Sequence, residues 1–337
     1  MKFLITGGLG FIGSALIRKI IKDTDHYVLN LDKQTYAANK FNLKSIELDE
    51  KYTFIKGDIC DEILIEKLLF DFQPDYLMNL AAESHVDNSI NNPSEFIKTN
   101  ILGTFSLLKN CYQYWEKLSF KKKQIFKFHH ISTDEVYGSQ TSSKLFNENS
   151  RYDPSSPYAA SKASSDHLVR AWFKTYNMPI LISNCSNNYG PYQFPEKLIP
   201  LTILNAIQGR KIPIYGDGQQ VRDWLHVEDH SSALIAIITK GKIGETYNIG
   251  ANNQIKNIDV VKTICSVLDT LKIDKPTGCK SFGELITFVK DRPGHDFMYG
   301  IDPQKIYKDL NWSPKIKFEA GLKDTIIWYL NNKNRYL

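Results

Sequence analysis

Lys2-Phe3-Leu4-Ile5-Thr6-Gly7-Gly8-Leu9-Gly10-Phe11-Ile12-Gly13 is the stretch that decides the fold. The short apolar run at residues 2–6 reads as a buried strand, and it passes straight into a Gly-x-x-Gly-x-x-Gly loop that opens a helix. Gly7 and Gly10 let the chain turn tightly and bring backbone N–H groups up to an anion, while Gly13 lets helix and strand approach closely. The helix N-terminus adds a positive pole. A glycine loop alone also suits an ordinary strand-to-helix turn, so its weight comes from its position, which points to a bound pyrophosphate. The same run does not resemble a secretory signal, because it ends in the loop and not in a small-residue cleavage site.

Working outward, Tyr27–Leu31, Tyr52–Lys56, Tyr76–Leu80 and Ile125–Ile131 read as further strands separated by helix-length segments. Near-continuous apolar strands with long crossovers predict a doubly wound parallel α/β sheet of the Rossmann kind, covered on both faces. Two later strands, Ile180–Asn184 and Glu245–Ile249, extend the same sheet. Turn-rich stretches at Tyr189–Pro195, Gly216–Gln220 and Arg292–His295 read as site-lining loops. The expected organisation is a nucleotide-binding domain at 1–185 and 220–250, interleaved with a smaller C-terminal α/β substrate domain at 186–219 and 251–337.

Composition narrows the function. A chain of 337 residues can bury a large core, and no apolar stretch approaches the roughly 20 residues a membrane crossing needs. The net charge of +5 is dispersed except at Lys121-Lys122-Lys123, which reads as a solvated loop, so neither nucleic acid nor membrane is an expected partner. Five scattered cysteines without a Cys-x-x-Cys pair argue against a disulfide framework and against a metal site, and fit a reducing cytoplasm.

Asp32 ends the second strand at the distance from the loop where a carboxylate accepts hydrogen bonds from the adenosine ribose and repels a 2′-phosphate. This favours NAD⁺ over NADP⁺, although Lys33 beside it softens the discrimination. Asp58, after the third strand, is placed to receive the adenine amino group. Tyr158 and Lys162 are four residues apart on a predicted helix and share one face. There the ammonium, together with a positive nicotinamide, favours the phenolate and makes it a base. In His130-Ile131-Ser132-Thr133-Asp134-Glu135-Val136-Tyr137-Gly138 a strand runs into its loop at the sheet's carboxyl edge, where ligands bind. Oxidation of an alcohol needs only a hydroxyl and the tyrosine there. Two adjacent carboxyl groups suggest elimination of water, one removing a carbon-bound proton and the other donating to the departing hydroxyl. Capping a turn or facing water is the plain alternative for the pair.

With these residues in place, nearly the whole chain resembles the dTDP-glucose 4,6-dehydratases of dTDP-rhamnose synthesis, extended short-chain dehydrogenases/reductases of the NAD-dependent epimerase/dehydratase type. The likeness is carried by residues 31–37 (LDKQTYA), 57–61 (GDICD), 79–87 (NLAAESHVD), 132–138 (STDEVYG), 155–158 (SSPY), 161–167 (SKASSDH), 184–192 (NCSNNYGPY), 194–200 (FPEKLIP), 221–224 (VRDW) and 291–295 (DRPGH). The resemblance implies conversion of dTDP-glucose to dTDP-4-keto-6-deoxyglucose by a tightly held NAD⁺ that is regenerated each turnover. Tyr158 would take the O4 proton, Thr133 would hold O4, and Lys162 would hold phenolate and nicotinamide ribose. Glu135 would remove the C5 proton and Asp134 would protonate the C6 hydroxyl.

For the cofactor the resemblance adds Phe11, Ile12, Lys33, Thr35, Ile59, Leu80, Ala81, Ala82, Thr99 and Asn188. For the nucleotide-sugar it adds Ser84, Asn187, Glu196, Lys197, Leu198, Pro213, Tyr215, Arg222, Asn257, Asp291, Arg292 and His295. The arginines also have a rationale of their own, since guanidinium matches the oxygens of a diphosphate. A homodimer is implied as well. Leu9, Ala38 and Asn88 depart from the pattern, and Asp87-Asn88-Ser89 is similar to UDP-glucose 4,6-dehydratases, which leaves the nucleotide base open. A UDP-hexose 4-epimerase and a non-catalytic dinucleotide-sensing module are the other readings.

Overall fold

The computed structural model describes residues 1–140, 144–271 and 273–336. Its strands are β1 (Lys2–Thr6), β2 (Tyr27–Asp32), β3 (Tyr52–Lys56), β4 (Tyr76–Asn79), β5 (Lys127–Thr133), β6 (Ile180–Cys185), β7 (Asn187–Tyr189), β8 (Ile212–Tyr215), β9 (Val221–His226), β10 (Thr246–Ile249), β11 (Gln254–Lys256) and β12 (Ile286–Val289). Seven of them form one sheet in the order β10-β6-β5-β4-β1-β2-β3. Every pairing in it is parallel. The strand order reverses beside β1, so the carboxyl ends of β1 and β4 open onto one crevice.

The alternation within β1 shows how one strand feeds two cores. Phe3 and Ile5 join Leu16, Ile17 and Ile237 on one face, where the helices Phe11–Asp23 and Val227–Lys240 pack. Leu4 points the other way, to Leu77, Leu107 and Val169 under Thr104–Glu116 and Pro157–Tyr176. Such doubly covered burial is why these strands read as continuous apolar runs.

A second body forms around Ile203, Trp224, Ile264 and Leu322. It carries the sheet β11-β9-β7 and the parallel pair β12-β8. Residues 221–226, within the segment 220–250 that the sequence assigns to the nucleotide-binding domain, pair with β7 and β11. The expected strand Ile125–Ile131 sits two residues later, since Phe120–Ile125 closes a short helix first. That helix contains the lysine run, which is therefore not a loop. Its side chains still face outward, Lys122 donating to Gln73 Oε1 at 2.7 Å and Lys123 lying over Trp115. Among the described residues no helix is long and apolar enough to cross a membrane.

Candidate functional site

A cavity of about 320 Å³ runs along the carboxyl edge of the large sheet, and each expected cofactor residue lies on its wall. The glycine loop forms one end. Gly7 has φ +72°, and a Cβ there would stand 2.6 Å from the backbone nitrogen of Ala81, while at Gly13 it would meet the Gly7 carbonyl at 2.4 Å. Gly10 is freer, its nearest neighbour being the Gly7 carbonyl at 3.3 Å. Asp32 is nearly buried and secures the loop, one oxygen accepting from Leu9 N at 2.9 Å and the other from Gln34 N at 2.8 Å. Burial raises its pKa, and those two backbone donors oppose the rise. Lys33 turns to Asp58 at 2.8 Å. Burial would raise the Asp58 carboxyl, but the Lys33 ammonium holds it below its usual range. Leu9, a departure from the family pattern, is buried in the same apolar core as Leu43 and Ile46.

The reactive groups meet at the other end. Ser156 caps the helix Pro157–Tyr176, its Oγ accepting from Ala159 N at 3.1 Å, with Pro157 in the first turn. Tyr158 and Lys162 therefore leave the same buried face, one turn apart. Thr133 ends β5 and caps the short turn Asp134–Tyr137 by accepting from Glu135 N at 3.3 Å. This tight turn aims Thr133, Asp134 and Glu135 together into the cavity beside Tyr158.

Burial sets the protonation of all these groups. Asp134 is 3% exposed, and burial followed by the neighbouring Glu135 charge lifts its pKa well above the carboxylate range. Glu135 is also raised by burial, but Arg292, Arg222 and Lys197 pull against the rise. The adjacent carboxyls are thus unequal, one favouring the acid form and the other held closer to ionisation. Burial and the Glu135 charge make the Tyr158 phenol hold its proton more tightly than usual. Lys162, lowered to about 8 by burial, donates to the Ile131 carbonyl at 2.8 Å and not to the phenol.

A nicotinamide dinucleotide fits this wall. Ser132 Oγ, Ser186 Oγ, Asn187 Oδ1 and Asp134 Oδ2 are buried along it without hydrogen-bond partners, and the tight loop at Gly7 and Gly13 leaves no room for side chains. Sequence reading missed Ser132, Cys185, Ser186, Gln193 and Phe194 on the same wall. The first three sit at or just after the ends of β5 and β6, where the strand-end rule alone points.

The expected substrate residues fall into two groups. Ser84, Thr133, Asn187, Glu196 and Lys197 line the cavity. The remainder continue beyond it, where Arg292 Nη1 reaches Asp87 at 3.2 Å, the Tyr215 hydroxyl donates to Asp87 at 3.1 Å and His295 pairs with Asp291 at 2.6 Å. Leu198 starts the helix Leu198–Ile207, Pro213 lies in β8, and Asn257 starts the helix Asn257–Thr270. The two arginines differ. Arg222 donates to the carbonyls of Val221, Phe297 and Asp296 and lies over the Tyr299 ring, whereas Arg292 keeps a buried Nε with no partner. Asn88, a departure from the family pattern, donates to the Tyr36 hydroxyl at 3.1 Å.

Comparison with known proteins agrees with this geometry. A profile of the family described as GDP-mannose 4,6 dehydratase matches residues 4–325. The chain is 58% identical over 342 residues to a dTDP-glucose 4,6-dehydratase of Escherichia coli, covering 99% of this chain and 94% of that one. Among solved structures, a dTDP-glucose 4,6-dehydratase of Streptomyces venezuelae with NAD and TDP bound superposes with a TM-score of 0.90 at 39% identity, over 99% of this chain and 98% of that one. That of Bacillus anthracis in complex with NAD gives 0.87 at 40%, over the same shares of the two chains.

Proposed function

The chain belongs to the GDP-mannose 4,6 dehydratase family, and from that premise we propose that it is an NAD-dependent dehydratase converting dTDP-glucose to dTDP-4-keto-6-deoxyglucose. The observation that carries this reading is the pair of adjacent carboxyls, buried Asp134 and half-buried Glu135, beside Tyr158 in the cavity that the glycine loop closes.

Gly7, Gly10, Phe11, Ile12 and Gly13 would hold the pyrophosphate, Asp32 the adenosine ribose, Asp58 the adenine edge, and Lys162 and Asn188 the nicotinamide end. Bound there, NAD⁺ supplies a hydride acceptor for C4 of the hexose and later a donor for C6. Tyr158 takes the proton of the C4 hydroxyl, whose oxygen Thr133 holds. The resulting ketone acidifies the C5 hydrogen, which Glu135 removes, and a proton is returned to C5 once C6 has been reduced. Asp134, kept protonated by burial, gives its proton to the C6 oxygen and water leaves. Arg292, with its unpartnered Nε, suits the substrate diphosphate. The body around Trp224 then serves as the substrate domain. An epimerase needs the oxidation but not the paired carboxyls, and a dinucleotide sensor needs neither.

A homodimer is supported by the exposed apolar strip Ile97, Leu102, Phe105 and Tyr176 around two neighbouring helices. The absence of cysteine pairing among the described residues suits the cytoplasm. Incubation with NAD⁺ and dTDP-glucose carrying deuterium at C4 tests the function. The label should reappear in the methyl group of a 4-keto-6-deoxy sugar; a galactose epimer or unchanged substrate would refute it. UDP-glucose should turn over more slowly in the same assay.

A further inference from the structure

The stripe that presents Tyr158 and Lys162 does not stop there. At the same spacing of four the helix continues into Asp166 and Arg170, and none of the proton transfers above uses them. Asp166 is fully buried, which raises its carboxyl pKa, and the Lys162 and Arg170 charges oppose the rise. Its Oδ2 accepts from the Tyr152 hydroxyl at 2.8 Å, and that hydroxyl in turn accepts from Arg170 at 2.6 Å and Asn184 at 3.2 Å. Its Oδ1 has no hydrogen bond and lies 3.4 Å from Nε2 of His130, which is itself 3.4 Å from the Lys162 ammonium.

The imidazole between them is fixed by a chain of donors. Thr6 Oγ1 accepts from the Ala81 N–H at 3.2 Å and donates to Asn79 Oδ1 at 2.7 Å. The amide orientation of Asn79 follows, and its Nδ2 donates to His130 Nδ1 at 3.2 Å. His130 therefore carries its hydrogen on Nε2, facing Asp166. Burial and the Lys162 charge keep the ring neutral. A neutral imidazole carries no charge, so it cannot balance the ammonium. The other titratable groups facing Lys162 are Tyr158 from its own helix and Cys185 from β6, and burial pushes the Cys185 thiol up to about 12. Among the described residues Asp166 is the carboxylate left to balance the charge, and a buried ammonium without a counter-charge sheds its proton.

We propose that Asp166, oriented by Tyr152 and His130, is a positioning residue that keeps Lys162 charged behind Tyr158. This rests on the reading of Tyr158 and Lys162 as the base and its cationic partner. Lys162 would otherwise go neutral and stop favouring the phenolate.

The test follows the Lys162 Nζ signal by nitrogen NMR against pH in the substrate-free chain, with Lys162→Met to assign it. Asp166→Asn should lower the Lys162 midpoint by about 1 pH unit or more. The alkaline limb of kcat for dTDP-glucose should move down with it. A purely structural role would lower Tm and leave both in place. An unmoved midpoint in the folded variant, or a limb that stays put while the midpoint moves, overturns the proposal. If Asp166→Asn does not fold, Tyr152→Phe decides: a smaller shift in the same direction supports it and none overturns it. Should the wild-type chain fail to dehydrate dTDP-glucose while the midpoint still shifts, the substrate reading fails and the pairing of Asp166 with Lys162 stands.

Discussion

The two halves of the cleft are built on different principles. The cofactor half is held by backbone: positive-φ Gly7 just after β1, the contact of Gly13 in the helix Phe11–Asp23 with the Gly7 carbonyl, and the Leu9 N–H donating to Asp32 at the end of β2. The nucleotide-sugar half is made of side chains that hold one another, as in Arg292 with Asp87, Tyr215 with Asp87 and His295 with Asp291, reaching across segments far apart in sequence. A backbone cradle is rigid before anything binds. Exposed or half-buried ion pairs contribute little stability and can be exchanged for a ligand's phosphates. The contrast suits a cofactor that stays and a substrate that comes and goes.

The sharpest way to break that comparison is at the seam between the halves. Glu135→Gln and Asp134→Asn should each lower turnover by about 10²-fold or more, with NAD binding retained, as read from steady-state product formation beside calorimetric titration of the cofactor. Near-wild-type turnover in both would remove the elimination chemistry from these residues. Within the cofactor half, Gly7→Ala should cost about 2 kcal/mol of folding stability and most NAD affinity, because a side chain at φ +72° is strained and its Cβ meets Ala81 backbone. Gly10→Ala, with 3.3 Å of clearance, should fold normally, and equal melting temperatures for the two variants would contradict the rigid cradle.

In the substrate half, Arg292→Ala should raise the KM for dTDP-glucose by about tenfold or more, the scale of one charge-assisted hydrogen bond, and leave NAD affinity unchanged. A matching loss of NAD affinity would mean the halves are not separable. The smallest effect is expected at Asp87→Asn. Releasing Arg292 and Tyr215 from a pair that solvent already screens should change KM by about threefold or less, with no change in kcat.

Much of this architecture is legible in the order of residues. β1 and β3 fall where the apolar runs place them, and the glycine loop, Asp32, Tyr158-Lys162 and Asp134-Glu135 each stand out as short contiguous motifs. Misreadings fall where tertiary context outweighs the local pattern. The Lys121–Lys123 run is polar enough for a loop, yet one short helix between Ser119 and Phe126 absorbs it and delays β5 by two residues. β7 and β11 are too short to show alternation, so their pairing with β9 leaves no local signal.

Local residue order is enough to set the doubly wound sheet, the dinucleotide loop and the chemical character of the acid, base and phenol, since each depends on residues a few positions apart whose spacing fixes a shared face or turn. Packing in three dimensions decides which of the adjacent carboxyls burial raises further, which arginine keeps a buried Nε without a partner, and that His130 stands between Lys162 and Asp166. Those outcomes depend on burial and on donors brought together from distant strands, and neither quantity is written in the neighbours a residue has along the chain.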